Sequence, residues 1–260
     1  METNLKESNR DSNLLVYPDN EALIEGVASR FAELAHKAIA DRGRFYVALS
    51  GGGTPQPLYK RLACSDYAHS IDWEKVFIAL VDERCVPHDS ADSNFGMIRK
   101  LMLTPLGFSR KNAAFTRNQD KEPDSSAALY SDELAKAFGI EPGELPVFDL
   151  MMLGLGPDGH TASIFPGSPL LPGGELYDDT TIAKAVYVSK MAMHRISLTL
   201  PVINNARYID FLVEGEGKAE VLRDVLTGPR GKYPAQYVIP RQGELSWYLD
   251  QGAVGKLEVN

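Results

Sequence analysis

Phe45-Tyr46-Val47-Ala48-Leu49-Ser50-Gly51-Gly52-Gly53-Thr54-Pro55 is the stretch from which the architecture can be read. Five apolar or aromatic residues make a compact run of the kind a buried strand needs. Three glycines break it, and Thr54 with Pro55 has the chemistry of an N-cap and a first helical position. The unit is strand, glycine loop, helix. Glycine has no Cβ, so the loop backbone can come close to a ligand while the following helix offers unpaired N–H groups and a positive dipole end. A turn that needs positive φ accounts for one glycine, whereas three before a capped helix point to an anion, phosphate first, bound by Ser50, Gly51, Gly52, Gly53 and Thr54.

The pattern continues on both sides. A short strand over 14–17 precedes a helix whose apolar positions Leu23, Val27, Phe31, Leu34, Ala35 and Ala38 recur at helical spacing until Gly43. Residues 76–81 form a continuous apolar run, followed by a charged loop, Asp82-Glu83-Arg84. A helix is expected over 93–103, a loop over 111–123, a helix over 124–138 and a buried strand over 147–153. That strand runs into Gly154-Leu155-Gly156-Pro157-Asp158-Gly159-His160. A proline-containing loop covers 164–179, strands are expected over 182–188, 195–200 and 208–213, and a helix over 218–226. Alternating strands and helices imply an α/β fold with a mostly parallel open sheet, in which ligands bind beyond the carboxyl ends of the strands.

Composition narrows the function. A chain of 260 residues with 44% hydrophobic and 24% charged residues suits one globular domain, expected over 14–260 after a frayed tail over 1–13. The formal net charge of -8 argues against a nucleic-acid partner, which needs a basic face. No secretion signal and no membrane-length apolar run is present. Cys64 and Cys85 are too few for a disulfide scaffold, and neither they nor the histidines form a metal motif, so a reducing cytoplasm and no metal are expected.

Other motif readings fail on context. The glycine loop lacks the Lys-Ser/Thr ending of a P-loop. Ser50 as the nucleophile of a serine hydrolase would need its helix to start at once, and Gly52, Gly53 and Pro55 delay it. Gly154 to Gly159 matches G-x-G-x-x-G, but Asp158 would face the pyrophosphate and the proline-rich continuation denies the helix. His160 lies in a glycine loop, unlike His36, His69, His88 and His194, which read as surface or packing residues. By residue type alone it suits catalysis and loop bracing equally. Arg195 is individually unremarkable; Lys218 opens a helix, where a cation is disfavoured unless an anion is bound there.

Taken in order, S-G-G-G-T-P (50–55), V-D-E-R (81–84) with Ser93-Asn94, G-L-G-P-D-G-H-T-A-S-I-F-P-G-S (154–168), R-I-S-L-T-L-P (195–201) and Gly217-Lys218 resemble the 6-phosphogluconolactonase family. The resemblance implies a Rossmann-like open sheet with helices on both faces, shared with glucosamine-6-phosphate deaminases, and no metal or organic cofactor. It implies hydrolysis of 6-phospho-D-glucono-1,5-lactone to 6-phosphogluconate. By the same carry-over, His160 is the general base with Asp82 and Arg84 beside it. The glycine loop with Thr54, Arg195 and Lys218 grips the phosphate, and Asn94 and Asp158 are further substrate-side residues. The expected partner is a small sugar phosphate; monomer and homodimer stay equally open.

The residue types suit that reaction. A lactone carbonyl is already activated, so a base for water, a cation for the oxyanion and a rigid grip are sufficient. A deaminase is the nearest alternative, but its motif carries a glutamate where this chain has Phe165, and M-D-E-Y where this chain has V-D-E-R. A non-catalytic sugar-phosphate sensor is the alternative from another class; it would have no use for a base beside Asp158.

Overall fold

The computed structural model describes residues 3–5, 12–116, 122–255 and 257. Within the segment expected to be a frayed tail, Thr3–Leu5 (β1) pairs antiparallel with a strand that begins two residues earlier than expected, Ser12–Tyr17 (β2). Asp19 caps the next helix, Asn20–Arg42 (α1), by accepting the Ala22 N–H at 2.8 Å, and Gly43 at φ 78 ends it. Phe45–Leu49 (β3) follows.

Thr54 is not the N-cap expected of it. The Gln56 N–H donates to the Gly53 carbonyl at 3.1 Å, so an extra turn precedes the helix, which runs Gln56–Leu62 (α2) with Pro55 at its cap. A short helix, Ser65–Ser70 (α3), leads to Val76–Leu80 (β4), all five residues of which are buried.

Asp82–Arg84, expected to be a charged loop, is a strand (β5). Val81 is the reason: its N–H donates to Leu49 in one sheet and its carbonyl accepts from Leu198 in another, so the backbone passes between sheets without losing its hydrogen bonds. Asn94–Ile98 (α4) continues into a π-helical turn, Arg99–Leu103, and the expected loop beyond it contains a two-residue strand, Ala113–Ala114 (β6). Pro123–Phe138 (α5), Leu150–Gly154 (β7), Ala183–Val188 (β8), Met193–Leu198 (β9), Tyr208–Val213 (β10) and Ala219–Thr227 (α7) lie close to their expected places, and a short helix to which no element was assigned, Leu200–Ile203 (α6), lies between β9 and β10. Glu244–Asp250 (β11), to which no strand was assigned, is followed by Gln251–Val254 (α8).

The main sheet has the order β1-β2-β11-β10-β7-β3-β4-β6, parallel except at β1. Strands β5, β9 and β8 form a second, antiparallel sheet, where the alternation of elements predicted parallel pairing. One core joins α1 and α2 to one face of the main sheet; the other joins α5, α7 and the small sheet to its opposite face. From β3 the chain builds outward through β4 to β6, and from β7 it builds the other way through β10 and β11. The reversal leaves a crevice at the carboxyl ends of β3 and β7, where an open sheet of this kind takes its ligand.

Candidate active site

The loops after β3 and β7 meet at that crevice and enclose a cavity of about 220 Å³. It is lined by Ser50 to Pro55, Asp82, Arg84, Asn94, Gly154 to Pro157, His160, Ala162, Arg195 and Lys218. Every residue singled out from sequence is there except Asp158, which stands behind His160 instead of facing the cavity.

The glycine loop is shaped by close approach. Gly52 has φ 93, and a Cβ on Gly51 would fall 1.7 Å from Oδ1 of Asn94. Ser50 turns its hydroxyl away, donating to the Met152 carbonyl at 2.6 Å, so it offers the cavity backbone and not a nucleophile. Asn94 is held over the loop by Glu83, a residue that sequence reading passed over. Glu83 is fully buried, and its carboxylate accepts the N–H groups of Arg84, Asn94 and Phe95 at 2.8 Å each and the Ser93 hydroxyl at 2.9 Å. Burial pushes this carboxyl up and the backbone hydrogen bonds oppose it. Asn94 Nδ2 donates to the Asp82 carbonyl at 2.9 Å, leaving its buried Oδ1 with no hydrogen-bond partner among the described residues.

His160 comes from the β7 loop. Its Nδ1 lies 2.5 Å from Oδ1 of Asp158, whose Oδ2 lies 3.2 Å from Nζ of Lys190. Burial lowers the pKa of His160, with Asp158 and Asp82 pulling it back up and Arg195 adding to the depression. For Asp158, burial raises the pKa, but the His160 hydrogen bond and charge and the Lys190 ammonium outweigh it and hold the carboxyl at about 2. Both shifts describe one state at neutral pH, an ionised Asp158 on a neutral imidazole with Nε2 as the remaining basic nitrogen. The imidazole stacks on Phe165, ring centroids 4.0 Å apart and planes 20° from parallel.

The cations arrive from three elements. Arg84 on β5 and Arg195 on β9 are register partners, directly opposite each other. Arg195 is buried, its Nη1 3.7 Å from Oδ2 of Asp82, and burial together with Arg84 lowers its pKa. Asp82 also accepts the fully buried Ser163 hydroxyl at 2.5 Å, a contact with no signal in sequence beyond its place in the same loop motif. Lys218, in the 3₁₀ turn that opens α7, donates to the Leu155 carbonyl at 2.8 Å; burial lowers its pKa and Asp158 counters. Opposed like charges destabilise a strand pair unless an anion relieves them. Among the described residues no group of three or more His, Cys, Asp or Glu could hold a metal ion, and no helix is long and apolar enough to cross a membrane.

Residues 18–247 match the family described as glucosamine-6-phosphate isomerases/6-phosphogluconolactonase. The chain is 41% identical over 219 residues to the 6-phosphogluconolactonase of Synechocystis sp., covering 84% of this chain and 86% of that protein. It is 36% identical to the 6-phosphogluconolactonase of Rattus norvegicus, covering 94% and 93%. Its fold is similar to that of the solved 6-phosphogluconolactonase from Trypanosoma cruzi, with a TM-score of 0.82 and 26% identity, covering 97% of this chain and 98% of that one, and to the solved structure of a devB protein, with a TM-score of 0.81 and 31% identity, covering 94% and 98%.

Proposed function

The chain belongs to the glucosamine-6-phosphate isomerase/6-phosphogluconolactonase family, and on that premise we propose that it hydrolyses 6-phospho-D-glucono-1,5-lactone to 6-phosphogluconate in the pentose phosphate pathway. The observation that carries the proposal is one cavity holding a neutral imidazole backed by an ionised carboxylate, a glycine loop, and two guanidinium groups in register.

The phosphate dianion is held by N–H groups of residues 51–54 and by Arg195 and Lys218. It is remote from C1, so its binding energy fixes the attack geometry instead of entering the chemistry. Nε2 of His160 takes a proton from water as the water oxygen attacks C1. The carbonyl oxygen becomes an oxyanion, stabilised by Arg84. When the intermediate collapses, the C1–ring oxygen bond breaks and the imidazolium returns its proton to that oxygen. The acid formed ionises to the product carboxylate. Asp158 holds the imidazole tautomer throughout, and Asn94, whose buried Oδ1 lies against Gly51, braces the glycine loop.

The test is a pH-stat assay with freshly made 6-phosphogluconolactone beside the unphosphorylated lactone, spontaneous hydrolysis subtracted. His160→Ala is expected to lose about 10²–10⁴ in kcat while the phosphorylated compound still binds. Equal turnover of both lactones, or a His160→Ala protein with full activity, would sink the proposal.

A further inference from the structure

We propose that Phe165 is a positioning residue for this reaction, its ring fixing the plane in which the His160 imidazole presents Nε2 to the lactone.

The hydrogen bond from Nδ1 to Asp158 anchors one edge of the imidazole but leaves the ring free to roll about that contact. The near-parallel stack at 4.0 Å removes this freedom. Its placement is built into the backbone. Residues Thr161 and Ile164 form an isolated antiparallel bridge, the Ile164 N–H donating to the Thr161 carbonyl at 2.9 Å. The turn they close holds Ala162 at φ 51, a left-handed conformation that costs a non-glycine residue energy and persists only where the surroundings impose it. The turn brings residue 165 back over residue 160, and buried Ile164 locks it into the core. A third constraint is Gly156: a Cβ there would lie 1.9 Å from Nδ1, so no other residue leaves the ring room.

The same aromatic ring serves the neighbouring cation, with Cζ of Arg195 5.6 Å from its centroid. Base and cation therefore share one apolar plate. The plate also keeps water from one face of the imidazole, consistent with the lowering of its pKa by burial. The charged groups around His160 are Asp158, Asp82 and Arg195, with Lys190 and Lys218 both acting on Asp158. Replacing Phe165 removes none of these charges, although it takes the plate from Arg195 as well as from His160.

The kinetic part of the test rests on the lactonase reading; the titration part does not. In the full-length chain, Phe165→Leu, Phe165→Met and Phe165→Tyr are compared for kcat, KM, and the pH titration of the His160 ring nitrogens by NMR, the signal assigned by its loss in His160→Gln. Expected for Leu or Met is a fall of about tenfold in kcat exceeding any rise in KM, with the His160 titration moving to higher pH. Tyr, which keeps the stack, is expected to recover most of kcat and the original titration. If Leu does not fold by thermal melt, Met carries the comparison. An unmoved titration with kcat within twofold overturns the proposal, as does a folded Tyr variant as impaired as Leu. If the unaltered chain hydrolyses no lactone, the functional reading fails alone, and the titration shift still decides what Phe165 does.

Discussion

His160 can serve as a base because its two ring nitrogens have different surroundings: Nδ1 is committed to Asp158, and Nε2 is left to the cavity. The direction of its pKa shift gives a prediction. Burial holds the imidazole below its reference value of ~6.5, so the neutral, proton-accepting form is populated further into acid than for a free histidine. The acidic limb of kcat/KM against pH is therefore expected to have its midpoint below that value, activity rising with pH through it. A midpoint at or above 7 would mean that the imidazolium dominates and the proposed base is protonated when it should act. His160 stood out in sequence because it lies in a glycine loop and not on an apolar face, which left catalysis and loop bracing equal until the family resemblance chose between them. Lys190 was not, because an exposed lysine on a hairpin acquires meaning only when Asp158 is found within 3.2 Å.

Strand β5 shows how an element can be misread while its residues are read correctly. Asp82, Glu83 and Arg84 have the polarity of a loop, yet they pair with β9, and the pairing sets Arg84 against Arg195. Burial and the charge of Arg84 lower the pKa of Arg195 against the opposing pull of Asp82, and an anion would relieve the two guanidinium groups further. Inorganic phosphate is accordingly expected to raise the melting temperature in a concentration-dependent way, and less so in Arg84→Gln and Arg195→Gln. Kinetics of the same two variants divide the labour between them. The phosphate-holding arginine is expected to raise KM by about tenfold for the phosphorylated lactone alone. The one at the oxyanion is expected to lower kcat by about 10²-fold on both lactones. Identical profiles from the two variants would contradict a divided wall. Element β11 escaped notice because Glu244-Leu245-Ser246-Trp247-Tyr248-Leu249-Asp250 is no uniform apolar run, although its Trp247 is fully buried against Phe211.

At the scale of the whole molecule, one group works against the fold. Asp210 lies in β10 near the middle of the main sheet, 2% exposed, with no hydrogen-bond partner for either carboxylate oxygen among the described residues. Its register partner Ser246 lines a polar cleft of about 730 Å³ between α1 and strands β2 and β11. Burial raises the Asp210 pKa to about 7; Arg30 opposes the rise and Glu244 adds to it. The raised value sets the sign. The unfolded chain releases this proton near pH ~3.9 and the folded chain keeps it, so the stability linked to it is full below ~4 and lost as pH rises through about 7. Roughly 3 units correspond to a loss on the order of 4 kcal/mol. Asp210→Asn removes the titration, so its unfolding free energy is expected to exceed that of the unaltered chain at pH 8 and to approach it at pH 4. Denaturant melts at the two pH values check this, and parallel pH dependences would refute it.

The sequence by itself determined the strand–loop–helix units, the parallel character of the main sheet and the chemistry of the glycine loop, because buried runs, glycine and proline act locally. It also marked Asp82 and Arg84 at the end of a buried strand, His160 in a glycine loop and Lys218 at a helix start, while Arg195 was marked only by the resemblance to the family. Only the tertiary structure decided that β3 and β7 are neighbours at a reversal of strand order, that Arg84 faces Arg195, that Asp158 backs His160 and that Phe165 lies beneath it. The first two join residues up to 111 positions apart, such as Arg84 and Arg195, and pairing across such distances is chosen by the burial of the whole core; the last two join near neighbours, brought together by a turn with Ala162 at φ 51 that buried Ile164 holds in place.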